Sequence, residues 1–229
     1  MTLDHAGGIT SLEFLADGQL ASGNTRGEIS VWDTVTGSRV RTVDAHSDRI
    51  LCLSASQSKL ASGSDDNTVR VWDTPTWECM RTFQCGDYVK SVALYPNGDR
   101  VAACTWETLY VWETETQQLI ALKNASRCYD VAVSNDGKWL AVGADESISL
   151  HDASTLNCIW SHDYNSWSIS FSPDSSQLVS ANFDYAKVKL LDVPTGNLVK
   201  SFEHVGVQRA VFSHDGTRVL SGESCSAAL

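Results

Sequence analysis

His46, Ser62 and Asp66 bring an imidazole, a hydroxyl and a carboxylate into one short span. These are the groups with which a hydrolase activates a serine: a base takes the hydroxyl proton and an acid fixes the base's tautomer. Acyl transfer would further require a substrate cleft and oxyanion donors at that serine. The same groups also serve packing. A buried hydroxyl and a buried imidazole must each find a partner, and a carboxylate that accepts from the His fixes the tautomer that satisfies the Ser. What Ser62 does therefore depends on the elements that hold it.

The stretch SGSDDNTVRVWD at 62–73 recurs as SGNTRGEISVWD at 22–33, AACTWETLYVWE at 102–113, AVGADESISLHD at 141–152 and SANFDYAKVKLLD at 180–192. The closing acids Asp33, Asp73, Glu113, Asp152 and Asp192 are spaced by 40, 40, 39 and 40 residues, the signature of a repeat architecture. Apolar alternation, as at Val92, Leu94, Val101, Ala103, Leu109 and Val111, predicts short half-buried strands. Turns such as Pro96-Asn97-Gly98-Asp99, Asn135-Asp136-Gly137 and His214-Asp215-Gly216 separate them, and no helical pattern intervenes. Each period thus supplies four strands. The repeats fall at about 4–43, 44–83, 84–123, 124–162 and 163–202, with a partial one at 203–229, in a single domain over 1–229.

Four-stranded units of this length that close on Trp-Asp resemble the WD-repeat β-propeller family. Trp32-Asp33 and Trp72-Asp73 match its signature pair, while Trp112-Glu113, His151-Asp152 and Leu191-Asp192 are degraded forms. The resemblance implies an all-β propeller of four-stranded antiparallel blades, about five and a half of them, with an incomplete ring. It also implies that His46, Ser62, Asp66 and Trp72 form a structural tetrad inside one blade, so that a fully paired Ser62 has no catalytic use. Other repeats keep fragments: His5, Ser22 and Trp32 with Arg26 in the Asp position; Cys85, Ala102, Trp106 and Trp112; Asn124, Ala141, Asp145 and His151; His162, Ser180 and Asp184 with Leu191 for the Trp. Losing partners together is less harmful than losing one, which makes repeat two the stiffest and repeats three and four the softest.

In this family the face formed by the turns before the inner strand and between the second and third strands commonly binds peptides or proteins. Aromatic and arginine residues are the usual interface anchors. Those that fall in these turns are Arg49, Tyr88, Trp106, Arg127, Tyr164, Trp167, Phe183 and Tyr185, which become the candidate partner-binding residues. Trp106 either anchors a partner or folds down to fill the space left by the missing His and Ser. Trp167 either joins the patch or packs between blades. Arg49 and Arg127 either meet an acidic peptide or remain solvated charges on the rim.

The balance of 28 acidic against 17 basic residues, a formal charge of −11, repels phosphate backbones and anionic lipid, so neither nucleic acid nor membrane is an expected partner. Seven scattered cysteines without a C-x-x-C pair read as reduced thiols, and the start MTLDHAGG lacks a signal peptide's features. The expected setting is intracellular, cytoplasmic or nuclear. No histidines are spaced as metal ligands and no phosphate-binding glycine loop is present, so no cofactor is expected. Inner-strand residues such as Leu12, Cys52, Val92, Val131 and Ile169 are small or apolar, which disfavours an enzyme with a channel active site. The expected function is a non-catalytic scaffold for a protein or peptide. The alternatives are that enzyme, or a regulatory propeller within a longer multidomain protein. Both chain ends break within a repeat, and this predicts a fragment, completion of the ring by a partner or by dimerisation, or an open solenoid.

Overall fold

The computed structural model describes residues 7–124, 127–182, 187–222 and 227–228 and contains no helix among them. Five sheets have four antiparallel strands and a sixth has three, each a meander in chain order. The inner strands are Ile9–Phe14, Ile50–Ser56, Ser91–Leu94, Cys128–Val133, Ser168–Phe171 and Arg209–Phe212. The expected partial repeat is present, and its third strand is the short Ala227–Ala228, paired with Ser221 and Gly222. The chain divides into two compact units, 1–123 and 124–229, each carrying three of these sheets, or blades.

Within the first unit, blades one and two bury Ala21, Ile29 and Val31 against Ile50, Leu53, Leu60 and Trp72. Blades two and three bury Val69, Val71 and Phe83 against Val92, Leu94, Val101 and Trp112. In the second unit Ala141, Ile148 and Leu150 meet Ile169, Phe171 and Leu178, and Val179 and Val188 meet Val207 and Ala210. Successive side chains point to opposite faces of a strand, and runs buried at every position, such as Ser91–Leu94, cover both faces of a blade. Close packing explains the glycine after Ser62: a Cβ on Gly63 would stand 2.5 Å from Val89 Cγ1 and 2.6 Å from Cys52 Sγ.

The inner strands are also stitched polar group to polar group. The Leu53 N–H donates to Ser11 Oγ at 3.1 Å, Ile169 N–H to Asp130 at 2.9 Å and Ala210 N–H to Ser168 Oγ at 3.4 Å. Two residues further along, Ala55 N–H donates to Glu13 at 3.1 Å and Leu94 N–H to Ser54 Oγ at 3.0 Å. Each satisfies a backbone donor that would otherwise have no ladder partner.

The closing acid of each repeat has a local task. Asp33, Asp73, Asp152 and Asp192 accept the backbone N–H of Thr36, Thr76, Thr155 and Thr195, and Glu113 accepts from the Thr116 hydroxyl. The residue after each threonine is left-handed: Gly37, Trp77, Gln117, Leu156 and Gly196. Hydrogen bonds from Ser154 and Thr155 hold the Asp152 carboxyl at about 2. An acid, three residues on a threonine, and then a left-handed residue: this turn is what the repeated closing acid builds.

Blade one differs on one face. Leu12 and Phe14 are 52% and 70% exposed, whereas their register equivalents Leu53 and Leu94 are 7% and 6%.

Candidate functional site

Blade two is built from Ile50–Ser56, Lys59–Ser64, Thr68–Asp73 and Cys79–Gln84. Ser62 lies directly opposite Arg70, two positions from the pairing of Leu60 with Trp72, so Ser62, Arg70 and Trp72 share a face. His46 comes from the turn leading into the blade. Its Nδ1–H donates to Asp66 at 2.9 Å, the Ser62 hydroxyl donates to its Nε2 at 2.7 Å, and Trp72 N–H donates to Ser62 Oγ at 2.9 Å. Thr68 is a fifth member: its hydroxyl donates to Asp66 at 2.6 Å and lies 3.1 Å from His46 Nδ1. Ser62 is fully buried and the His46 side chain has no exposure.

Burial pushes the His46 pKa down, an effect the Asp66 carboxylate only partly opposes. Burial would raise Asp66, but hydrogen bonds from Thr68 and the pairing with His46 outweigh it and hold the carboxyl low. The imidazole is therefore neutral with Nε2 as acceptor. Ser62 is engaged as donor and acceptor at once, without access for a substrate, and the arrangement stabilises a blade rather than attacking an acyl group.

The other blades depart from the sequence expectation in detail. In blade three the register places Ala103, not Ala102, opposite Tyr110 at the Ser62 position. The Cys85 N–H bonds Asn67 O as Ala45 N–H bonds Gly27 O, so Gly86 rather than Cys85 takes the histidine's place. Tyr110 fills the space: its ring stacks on Trp112 at 4.9 Å and its hydroxyl accepts from Gly86 N–H at 3.1 Å. Phe83 stacks on the same indole, also at 4.9 Å, and burial pushes the Cys85 thiol up to about 12. Trp106 is thus not the filler.

In blade four Val142, not Ala141, occupies the Ser62 position, and His151 bonds Ser149 at 2.9 Å. In blade five His162 is not a tetrad member: its ring bonds Gly196 O at 2.8 Å and packs on Trp160. The Ser180 hydroxyl instead pairs with Ser166 at 2.8 Å, and Tyr164 aims its buried phenol at Ser180. Blade six holds a pair the sequence reading overlooked, His204 Nδ1 and Ser221 Oγ at 2.7 Å. In blade one Trp32 N–H donates to Ser22 at 2.7 Å; His5 lies outside the described residues, as do Asp184 and two candidate anchors, Phe183 and Tyr185.

The remaining candidates fall into two kinds. Arg49 pairs with Asp65, and Arg127 pairs with Asp145 at 3.1 Å, each tying the turn before a blade to that blade's second turn. Both guanidinium groups remain more than half exposed, so these are rim ion pairs of small energetic weight. The aromatics, by contrast, seat ammonium groups. Tyr88 and Trp106 lie 6.4 Å apart, with Lys90 Nζ 5.0 Å from the first ring centroid and 4.6 Å from the second. Lys189 Nζ lies 3.3 Å from the Tyr164 centroid. Such contacts hold a cation while leaving it free to meet an anion. Trp167 stacks on Tyr129 at 4.7 Å and belongs to the packing of blade five on blade four.

The lysines were not read from the sequence. Arg70, Tyr110 and Lys189 occupy one register position, two residues before the closing pair and opposite the Ser62 position. That alternation was the available signal.

Among the described residues no cluster of three metal-ligating side chains occurs. The two inner-strand carboxylates described above, Glu13 and Asp130, accept backbone N–H groups of neighbouring strands.

Residues 1–33, 37–73, 77–113 and 117–152 match the WD domain, G-beta repeat family, each span ending on a closing acid. An uncharacterized WD repeat-containing protein of Synechocystis is 22% identical over 142 residues, 58% of this chain and 41% of its own length. A p21-activated protein kinase-interacting protein 1-like protein of Xenopus laevis is 29% identical over 160 residues, 69% of this chain and 44% of its own. The chain thus spans less than half the length of these relatives. A chain in the crystal structure of the mitotic checkpoint complex superposes with a TM-score of 0.88 at 21% identity, over 98% of this chain and 74% of that one. This likeness establishes the propeller fold.

Proposed function

The chain belongs to the WD domain, G-beta repeat family, whose propellers generally mediate protein–protein interaction, and we propose that it acts as a non-catalytic scaffold. It receives a protein or peptide on the ends of its blades formed by the turns before the inner strands and between second and third strands. The observation that carries this reading is the concentration there of aromatic-seated lysines and rim arginines, Arg49, Tyr88, Lys90 and Trp106 in the first unit and Arg127, Tyr164 and Lys189 in the second. The only serine with triad-like neighbours that is described, Ser62, is buried and doubly bonded, which supports the absence of catalysis.

The test compares the proteins cross-linked in cells to the wild-type chain, to Tyr88→Ala/Lys90→Ala and to Val35→Ser. Val35 is 92% exposed on a turn at the opposite end of its blade. Loss of a recovered protein with the first variant and its retention with the second supports the reading. Equal recovery with all three overturns it.

A further inference from the structure

In the second unit a cleft of about 710 Å³ opens on the proposed interaction end, lined by Glu146, Asp163, Tyr164, Asn182, Lys187 and Lys189 among others. The two lysines alternate on one strand, Lys187–Asp192, and so present both amines on the same face. Lys187 has a partner, Glu203, at 4.0 Å. Lys189 sits half-buried over the Tyr164 ring and makes no ion pair among the described residues. Burial, with the Lys187 charge beside it, lowers its pKa. Among the described residues this partly desolvated ammonium has a ring beneath it and no carboxylate within ion-pair distance, so it can still receive an anion from the cleft.

The cleft's own acids narrow the choice of anion. Glu146 and Asp163 line the same space as Lys187 and Lys189, so the lining is formally neutral and its attraction for an anion is local to the Lys189 amine, which matches a single carboxylate. The Ser147 hydroxyl, half-buried in the lining, supplies a neutral donor for a peptide backbone. The cleft is also large enough for side chains rather than for a bare ion.

We infer that this cleft binds an acidic peptide segment, with an Asp or Glu carboxylate of the partner received by Lys189 and the flanking residues on Tyr164 and the Asn182 edge. This deepens the proposed scaffold role and rests on it for the choice of a peptide as occupant. The chain's overall charge of −11 opposes an acidic partner at long range, so recognition depends on these two amines at short range and weakens as salt screens them.

The experiment is fluorescence anisotropy with the full 229-residue chain and labelled Gly-Glu-Tyr-Glu-Gly, its Gln isostere Gly-Gln-Tyr-Gln-Gly, and a phosphoserine version. The Glu peptide is expected to bind at least about tenfold more tightly than the Gln peptide, the scale of one charge-assisted hydrogen bond. Lys189→Met should remove that preference, and Asp163→Asn, at an exposed position, should strengthen it, which keeps the test informative should Lys189→Met fold poorly. Equal binding of Glu and Gln peptides, no binding by either, or a preference for phosphoserine overturns the assignment. If the peptide fails while cellular partners still depend on Tyr88 and Lys90, the scaffold role stands and the acidic-peptide cleft falls. If the peptide binds through Lys189 while no partner depends on that end of the blades, the scaffold role falls instead.

Discussion

Replacing Ser62 with alanine removes one oxygen from the centre of the blade-two network. Two buried groups then lose their partner, the Trp72 N–H at 2.9 Å and the His46 Nε2 at 2.7 Å. The imidazole cannot re-pair by switching tautomer, because its Nδ1–H is held by Asp66. At about 1–3 kcal/mol for each of the two buried groups left unsatisfied, the expected loss is roughly 2–6 kcal/mol, a large share of the roughly 5–15 kcal/mol of a typical domain. Blade three shows that the two residues can be exchanged together, since Gly86 and Ala103 stand at the positions of His46 and Ser62. Adding His46→Ala to Ser62→Ala should therefore be less destabilising than the sum of the two, by about 1–2 kcal/mol. The assay is urea unfolding at neutral pH followed by tryptophan fluorescence, comparing midpoints at unchanged m-value. A loss below about 0.5 kcal/mol for Ser62→Ala, the range of ordinary surface changes, or strict additivity of the two substitutions, would refute the reasoning.

Three further outcomes are expected. Burial raises the Glu13 carboxyl to about 7, so the folded chain holds a proton that the unfolded chain has released between about 4.5 and 7, and stability falls as pH rises through that window. Glu13→Gln keeps an acceptor for Ala55 N–H; it should match wild type near pH 4.5 and exceed it by roughly 1–3 kcal/mol at pH 8, and equal stability at both pH values in urea titrations would contradict this. Gln117→Gly, at an exposed left-handed position with φ of 61°, should raise the unfolding free energy by about 0.5–1 kcal/mol in urea titrations, whereas a loss would show that the side chain contributes more than the strain removes. Hydrogen exchange should be slowest in blade two and faster in blades three and four, because only blade two holds the complete described network of His46, Ser62, Asp66, Thr68 and Trp72; equal protection would count against a special role for these bonds.

The repeat period and the period-two alternation made the architecture legible, because a meander of four short strands must hide its two faces against neighbours of the same kind. His46, Ser62, Asp66 and Trp72 were legible through the family resemblance that the repeat carries, which places such a His, Ser, Asp and Trp together in one blade. Register was the less legible part. Ala102 against Ala103, and Ala141 against Val142, differ by one residue of equally small or apolar character, and only the pairing to Trp112 and His151 decides which faces the network. Turn lengths before the inner strands vary, which is why Cys85 and His162 fall one or more places from where the periodicity puts them. Tyr110 and Tyr164 could not be anticipated as replacements, since each acts from a different strand or turn than the residue it stands in for. Lys90 and Lys189 were passed over because a lysine in a strand or turn ordinarily means a solvated charge, and only the rings beneath them change that meaning.

The scaffold reading stands or falls on where a partner touches the chain. The most direct measurement is hydrogen exchange of the chain alone and in complex with a protein recovered by cross-linking. The account predicts new protection in the turns around 46–50, 64–67, 86–90 and 163–166, with none in the opposite turns around 33–38 and 96–99. Protection confined to those opposite turns, or to the outer strands, would contradict it.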